Sequence, residues 1–424
     1  MKYIDYVDTG YKPSKEDVIC EFYIEPYRCS MKEAAGAVAS ESSIGTWTEV
    51  TTMHSGIEKL AAKVFSIKKN FIKIAYPIEL FEPGNMPQIL SSIAGNIFGM
   101  KLVKNLRLED VHFPKKLVNS FYGPKYGIEG IRKLLHVKKR PLIGTIVKPK
   151  VGLNEEQHAR VAYNAWLGGC DIVKDDENLS SLSFNKFEKR VLITLKARDT
   201  AERMTGERKI YMPNVTADLR EMLDRAEFVK RVGGEYVMVD ILTLGWSALQ
   251  TLREFNEELK LVLHAHRAGH AAITRNKKHG ISMLVIGKIC RLIGLDQLHI
   301  GTVIGKMEGP QEEVIHIDQE IEKKLIKKDQ KGHVLEQKWF SKKPVLAVCS
   351  GGLHPRHVPF LIKNLGRNIV MQFGGGIHGH IRGTTSGARA VRQAVDAVMK
   401  NKTLEEYSKE HRELYEALNK WKKS

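Results

Sequence analysis

Eight short apolar runs in the later two-thirds of the chain end near Lys148, Lys174, Asn214, Asp240, His266, Gly301, Ser350 and Gly374, each in a polar or glycine residue. Most are separated by segments with helical apolar spacing, such as Glu155 to Leu167 and Leu219 to Val232. Short, almost unbroken apolar runs read as strands covered on both faces, and strands alternating with helices specify a parallel sheet. Eight such units make a closed (β/α)8 TIM barrel. An open doubly wound α/β sheet is the alternative, and it would need a switch in strand order that the eightfold count argues against. Irregular spacing ahead of Ser350 leaves room for an insertion around Gln311 to Lys338.

The first third reads strand, helix, strand, strand, helix, strand, over Val18 to Glu25, Met31 to Ser40, Lys63 to Ile67, Phe71 to Phe81, Met86 to Phe98 and Leu106 to Phe113. That order is the split βαβ arrangement of a small ferredoxin-like α+β domain. A polar stretch with glycine and proline, Tyr122 to Glu129, then leads to Arg140-Pro141. The boundary is placed near residue 135, giving an N-terminal α+β domain over 1–135 and a barrel domain with a C-terminal helical tail over 136–424. A chain of 424 residues exceeds what one core usually serves, in keeping with two domains.

Composition narrows the function classes. No apolar run approaches membrane-spanning length, and the first residues, Met1 to Asp17, are mixed in charge, unlike a signal peptide, so a cytoplasmic protein is expected. The five cysteines, Cys20, Cys29, Cys170, Cys290 and Cys349, lack close pairs and suggest neither a disulfide framework nor a structural zinc. The net charge of +18 raises the question of nucleic acid. The basic residues are interleaved with acids, however, as in Glu312 to Lys328 and Glu405 to Lys423, which suits a polyanionic small substrate or a general surface adaptation better than a binding stripe. Neither nucleic acid nor membrane is expected as a partner.

Barrel enzymes carry their reactive side chains at the carboxyl ends of the strands. A solvated loop explains any one polar residue there, but not ionisable or glycine residues at nearly every end. Strand two ends in Lys174-Asp175-Asp176-Glu177, where alternation puts Lys174 and Asp176 on one face and Glu177 can swing to join them. Two carboxylates suit Mg²⁺ but leave its oxygen cage short. A neutral Lys174 amine can condense with carbon dioxide to a carbamate and so become a third anionic oxygen ligand. Taken alone, such a string is more often a charged turn.

Strand one ends in Lys148-Pro149-Lys150, two cations on one side near that cage, although an isolated pair would read as surface lysines. Strand five ends in His264-Ala265-His266-Arg267; zinc ligation lacks further partners, and the reading is His266 near the reacting centre with Arg267 clamping a phosphate. Strand six runs from His299 through Gly301, Gly305, Lys306 and Gly309, either a lid carrying a cation or a plain glycine loop. Strands seven and eight end in Ser350-Gly351-Gly352 and Gly374-Gly375-Gly376, where backbone amides can approach an anion. With Arg267 and His299 across the mouth, a ligand bearing a phosphate at each end is expected.

The segments Thr145 to Lys150, Gly169 to Asn178, His264 to His270, His299 to Gly309, Ser350 to Gly352 and Gly374 to Gly376, in that order, resemble the large chain of ribulose-1,5-bisphosphate carboxylase/oxygenase (RuBisCO). Glu41-Ser42-Ser43-Ile44-Gly45-Thr46-Trp47 and Gly95-Asn96-Ile97-Phe98-Gly99 extend the resemblance through the first domain. It implies carboxylation of ribulose 1,5-bisphosphate by CO2 to two 3-phosphoglycerates, with O2 competing. Lys174 would be the carbamylated lysine and, with Asp176 and Glu177, would bind Mg²⁺, which stabilises the enediolate formed when the C3 proton leaves. Lys148 would handle protons at the enediol and the product carbanion, flanked by Lys150 and His266. Lys306 would steady the new carboxylate, held by Glu41 of a neighbouring chain. Thr46, Trp47, Gly352, Gly374 and Gly375 would cradle one phosphate, and Arg267, His299 and Ser350, beside Gly351, would serve the other end; Asn96 would approach metal and substrate. Because the family's first domain caps a partner's barrel, a homodimer is the smallest complete unit.

Gly144 to Lys150, Tyr211 to Asn214 and Asp296 to Gly301 are most similar to the archaeal form III group, which is associated with AMP or nucleoside salvage. Ile146 stands where many members have threonine, and Gly269 where a larger residue is common. Two rivals stay open. One is a RuBisCO-like enolase or isomerase without carboxylation, although such proteins usually have replacements among the lysines retained here. The other is a basic nucleic-acid-binding protein on a reused barrel, which predicts salt-sensitive binding.

Overall fold

Strand residues of the barrel are apolar on both sides because both sides are covered: every residue of Tyr236–Asp240 and Gln297–Gly301 is buried. The computed structural model describes residues 2–48, 50–304 and 311–422. By proximity of Cα atoms the chain forms two units, Met1–Gly123 with Gly269–Ile293 and Lys323–Lys342, and Pro124–Ala268 with Gly294–Glu322 and Lys343–Ser424.

The second unit holds eight parallel strands, here numbered one to eight: Leu142–Ile146, Ile172–Lys174, Ile210–Met212, Tyr236–Asp240, Val262–His266, Gln297–Gly301, Leu346–Ser350 and Ile369–Phe373. Their hydrogen-bonded order is three, two, one, eight, seven, six, five, four. The ring closes between three and four through the parallel bridge Asn214↔Met238, where Met238 N donates to Pro213 O at 2.9 Å and Val215 N to Met238 O at 3.0 Å. Pro213 has no N–H to give the ladder, which accounts for strand three stopping at Met212. Leu142, Ile172, Ile210, Tyr236, Val262 and Leu346, at the strands' amino ends, share a core with Ile128, Ile131 and Leu135. Those three lie on one face of the helix Gly127–Leu135, so this stretch belongs to the barrel unit.

Helices follow the strands where the sequence carries caps. Asn154 accepts from Gln157 N, and the Gln157 side chain answers to Asn154 N, at the start of Glu155–Leu167. Asn154→Ala is expected to cost about 1 kcal/mol without loss of fold, measured by thermal unfolding. The expected insertion is narrower than the sequence suggests. Gln311–Glu322 is a regular helix of the barrel unit, and the departure is confined to 323–342, which carries the antiparallel ribbon Leu325–Ile326 and Gln337–Lys338.

In the first unit, the strands Val18–Pro26, Lys63–Lys68, Phe71–Tyr76 and Val103–His112 lie in the order fourth, first, third, second with antiparallel neighbours, and Met31–Glu41 and Met86–Ile93 are its helices. This is the ferredoxin-like order. The pair Gly280–Ile281 extends the sheet parallel to Val103–His112. The third strand is shorter than expected because Pro77 follows it and Ile78–Leu80 coil into a 3-10 turn. Among the described residues, no helix is long and apolar enough to cross a membrane.

Candidate active site

Lys174 is the last residue of strand two and is fully buried. Its Nζ donates to the Asp175 carbonyl at 2.7 Å and lies 3.2 Å from Met238 Sδ and 3.8 Å from Glu177 Oε2. Burial lowers the basicity of this amine even though Glu177, Asp176 and Asp240 pull the other way. Asp176 is buried and takes the Lys148 ammonium at 2.6 Å, and exposed Lys150 reaches Asn178 Oδ1 at 3.2 Å. Both lysines that follow strand one thus lean onto the segment that follows strand two.

Asp175 turns the other way, as strand alternation requires. Its carboxylate accepts from Arg190 Nε at 3.1 Å, Tyr211 OH at 2.6 Å and Asn214 N at 3.0 Å, all inside the protein. Burial opposes ionisation there, but Arg190, His158 and Tyr211 hold the carboxyl well below the usual carboxylate range.

Among the described residues, no group of three or more His, Cys, Asp or Glu side chains is gathered to hold a metal ion. Asp176 and Glu177 supply two carboxylates, and the side chain lodged beside them is a buried amine of lowered basicity. A lysine in that state is the kind that carbon dioxide can convert to an anionic oxygen donor, so the residues fit Mg²⁺ on that condition.

At strand five, His266 Nδ1 lies 2.8 Å from Asp240 Oδ1 at the end of strand four, and Nε2 lies 3.6 Å from Glu177 Oε2. His299 Nδ1 meets Ser350 Oγ at 2.8 Å, tying strand six to strand seven, and its Nε2 is buried with no hydrogen-bond partner among the described residues. His264 pairs with Gln297 at 2.8 Å, and its ring stands edge-on to His299 at 4.8 Å. Burial pushes both His264 and His299 well below the ordinary histidine value, so they are neutral. Arg267 follows strand five, with burial lowering its guanidinium to about 10. Gly301 lies beside it at φ +96°, a left-handed conformation that demands glycine, and a Cβ there would stand 2.6 Å from Arg267 Nη2 and push the guanidinium aside. Gly269 takes φ +80°, which a larger residue would adopt only with strain.

Ser350 ends strand seven, with Gly351 and Gly352 directly after it. After strand eight, a Cβ on Gly376 would lie 2.0 Å from Leu353 O, so this residue joins the two loops closely. A Cβ on Gly375 would meet nothing within 4 Å, and one on Gly374 only Lys148 Cε at 3.7 Å. The turn therefore presents bare backbone on the side facing Lys148.

In the first unit, Glu41 ends the helix Met31–Glu41, which packs against the turn Asn96–Gly99, where Asn96 is exposed. The intervening loop is fixed from below. Ser42 Oγ donates to Val38 O at 2.6 Å and Ser43 Oγ to Ala39 O at 2.6 Å, while a Cβ on Gly45 would stand 1.8 Å from Ser40 Oγ. Thr46 and Trp47 follow this tight turn, and Trp47 is 81% exposed. Lys306 lies outside the described residues. Asp240, His264 with Gln297, and the Asp175–Arg190 pair carry geometry that the sequence reading passed over. Asp240 was visible as a strand end, but nothing in the sequence pairs it with His266.

Fold and strand ends together define the class: a (β/α)8 barrel joined to a ferredoxin-like unit, with ionisable and glycine residues gathered at the carboxyl ends of the strands. The profile described as ribulose bisphosphate carboxylase large chain, catalytic domain, matches residues 127–421, and that described as its N-terminal domain matches residues 5–117. The chain belongs to the RuBisCO large-chain family. It is 53% identical to the ribulose bisphosphate carboxylase of Methanosarcina mazei, over 99% of each chain, and 52% identical to that of Methanocaldococcus jannaschii, over 99% of this chain and 100% of the relative. The dimeric archaeal Rubisco from Hyperthermus butylicus superposes with a TM-score of 0.94 at 47% identity, covering 99% of each chain. The octameric Rubisco from Pyrococcus horikoshii OT3 gives 0.92 at 46% identity, over 99% of this chain and 97% of that one.

Proposed function

We propose that this chain is a ribulose 1,5-bisphosphate carboxylase: CO2 adds to C2 of the substrate's enediol, and hydration with cleavage between C2 and C3 releases two 3-phosphoglycerates, with O2 as the competing gas. The observation that supports this most is the buried Lys174 amine, its basicity lowered by burial, beside Glu177 and Asp176. Lys174 as its carbamate, Asp176 and Glu177 would hold Mg²⁺, which supplies a Lewis acid toward the sugar oxygens at C2 and C3.

The chain's own residues do the rest. Lys148, which neutralises Asp176, carries a proton to and from the enediol and the product carbon, with Lys150 beside it. Asp240 fixes the orientation of His266 next to Glu177. His299 Nε2, left open while Nδ1 is engaged by Ser350, takes a phosphate oxygen together with Arg267 and Gly351. The bare turn at Gly374 and Gly375, with Gly352, takes the other phosphate through backbone amides. Thr46, Trp47 and Asn96, borne on the domain we assign to residues 1–135, complete a second subunit's site, so the working unit is a homodimer or a multiple of it. Lys306, held by Glu41 of the partner subunit, steadies the carboxylate as it forms. The archaeal relatives support a form III enzyme, for which we propose a cytoplasmic role in AMP or nucleoside salvage.

The test is fixation of labelled bicarbonate into 3-phosphoglycerate from ribulose bisphosphate with Mg²⁺. Consumption of the sugar without fixation would favour the enolase reading, and neither reaction together with salt-sensitive nucleic-acid binding would favour the third. Gly375→Ala places a methyl group where the protein has open space, so folding is expected to be unchanged. The lost charge-assisted contact should raise KM for the bisphosphate at least about tenfold, as steady-state kinetics would show.

A further inference from the structure

His378 has no part in the scheme above, yet both of its ring nitrogens are engaged. It ends the short turn Gly375–His378; its Nε2 lies 2.8 Å from the Ile146 carbonyl and 2.9 Å from Thr145 Oγ1, and its Nδ1 lies 3.0 Å from Thr384 Oγ1. Thr145 Oγ1 donates its one proton to the Phe373 carbonyl at 2.7 Å, so toward His378 it accepts. One neutral tautomer satisfies the whole set: Nε2–H donates to Ile146 O and Thr145 Oγ1, and Nδ1 accepts from Thr384. Burial lowers this imidazole to about 4, which keeps that tautomer in place at neutral pH.

The peptide between Ile146 and Val147 is thereby held on both sides. Its carbonyl accepts from His378, and its N–H, that of Val147, donates to the Lys174 carbonyl at 3.1 Å. His378 stands three residues after Gly375, and Lys148 two residues after Ile146. A carbonyl is offered by any residue at position 146, so the link survives with isoleucine there.

We propose that His378 is a positioning residue for the carboxylation described above, on which this inference rests: through the Ile146–Val147 peptide it fixes the phosphate-binding turn at Gly374–Gly375 relative to Lys148 and Lys174, so that a bisphosphate meets both ends of its site in register. A packing role alone would ask only for a side chain of similar volume.

The test compares His378→Leu, which removes all three hydrogen-bond contacts of the ring, with His378→Gln, whose amide nitrogen can donate to Ile146 O and whose amide oxygen can accept from Thr384. For the leucine variant, KM for ribulose bisphosphate is expected to rise roughly three- to tenfold and the dissociation constant of inorganic phosphate, read by calorimetry, by a similar factor. CO2 trapped on the enzyme in the presence of Mg²⁺ should be unchanged, and glutamine should restore most of the loss. A leucine variant with parental KM and phosphate affinity overturns the proposal, as does equal impairment of both variants. Phosphate calorimetry needs no turnover, so the link is still tested if the parent protein fixes no carbon, an outcome that would remove the carboxylase reading instead.

Discussion

Lys174→Met is expected to abolish carbon fixation, by on the order of 10⁴-fold or more, in a protein that remains folded. The side chain is fully buried, and its amine touches a backbone carbonyl, a thioether and, at 3.8 Å, one carboxylate. An unbranched apolar residue of similar length fills the same space, and Glu177, the carboxylate left behind, keeps 32% of its side chain exposed to solvent, so the fold is expected to hold. Loss of stability cannot then account for loss of activity. Labelled bicarbonate fixation, CO2 trapping with Mg²⁺ and thermal unfolding together separate the outcomes. A methionine variant that still traps CO2 at parental stoichiometry would place the activating group on another side chain. Carbamate formation requires the neutral amine, and burial enlarges that fraction at a given pH by lowering the amine's basicity. Acidification should therefore slow activation of the parent protein and leave the already inactive variant unaffected.

Where both faces of a strand are covered and a polar or glycine residue follows the apolar run, the sequence carries its position well. The ends read at Lys174, Asp240, His266, Gly301 and Ser350 coincide with the last residues of strands two, four, five, six and seven. Strand three ends two residues before Asn214, because Pro213 breaks the ladder and Asn214 returns only as an isolated bridge. Strand one ends at Ile146, before the turn that carries Lys148. By proximity of Cα atoms the helix Gly127–Leu135 groups with the barrel, because its apolar face fills the barrel's amino end; a polar count over Tyr122 to Glu129 does not register Ile128 and Ile131 as one stripe. For the candidate site, alternation alone sets Lys174 and Asp176 apart from Asp175. It says nothing of contacts made between strands far apart in sequence. His266 with Asp240, His299 with Ser350 and His378 with Ile146 are separated by 26, 51 and 232 residues, and their pairing follows from which strands lie side by side in the sheet rather than from local pattern.

Asp175→Ala is expected to destabilise the barrel by about 3–5 kcal/mol, because it leaves the Arg190 guanidinium in the interior without its carboxylate. The side chains of both residues are 0% exposed, and no solvent is available to take over the charge. Arg190 would keep the Ser180 carbonyl and Asn185 Oδ1, at 2.9 and 2.8 Å, which satisfy hydrogen bonds but not charge. Tyr211 OH and Asn214 N would lose their acceptor as well. Asp175→Leu combined with Arg190→Met removes both charges and should recover much of the loss, a non-additivity that denaturant unfolding can read. The pH dependence has a definite sign. A carboxyl held below its unfolded value of about 3.9 contributes stability that is complete above that pH and is lost as acid protonates the folded form. The parent should therefore lose stability more steeply than Asp175→Ala on acidification. A variant that unfolds at the parental denaturant concentration would mean that Arg190 finds another counter-charge. The same substitution should also lower activity beyond its effect on the folded fraction, because Asp175 anchors the backbone between Lys174 and Asp176. What looks in the sequence like one acidic patch is then two structures back to back: an ion pair that holds strand two inside the barrel, and the oxygen donors that this pair aims at the mouth.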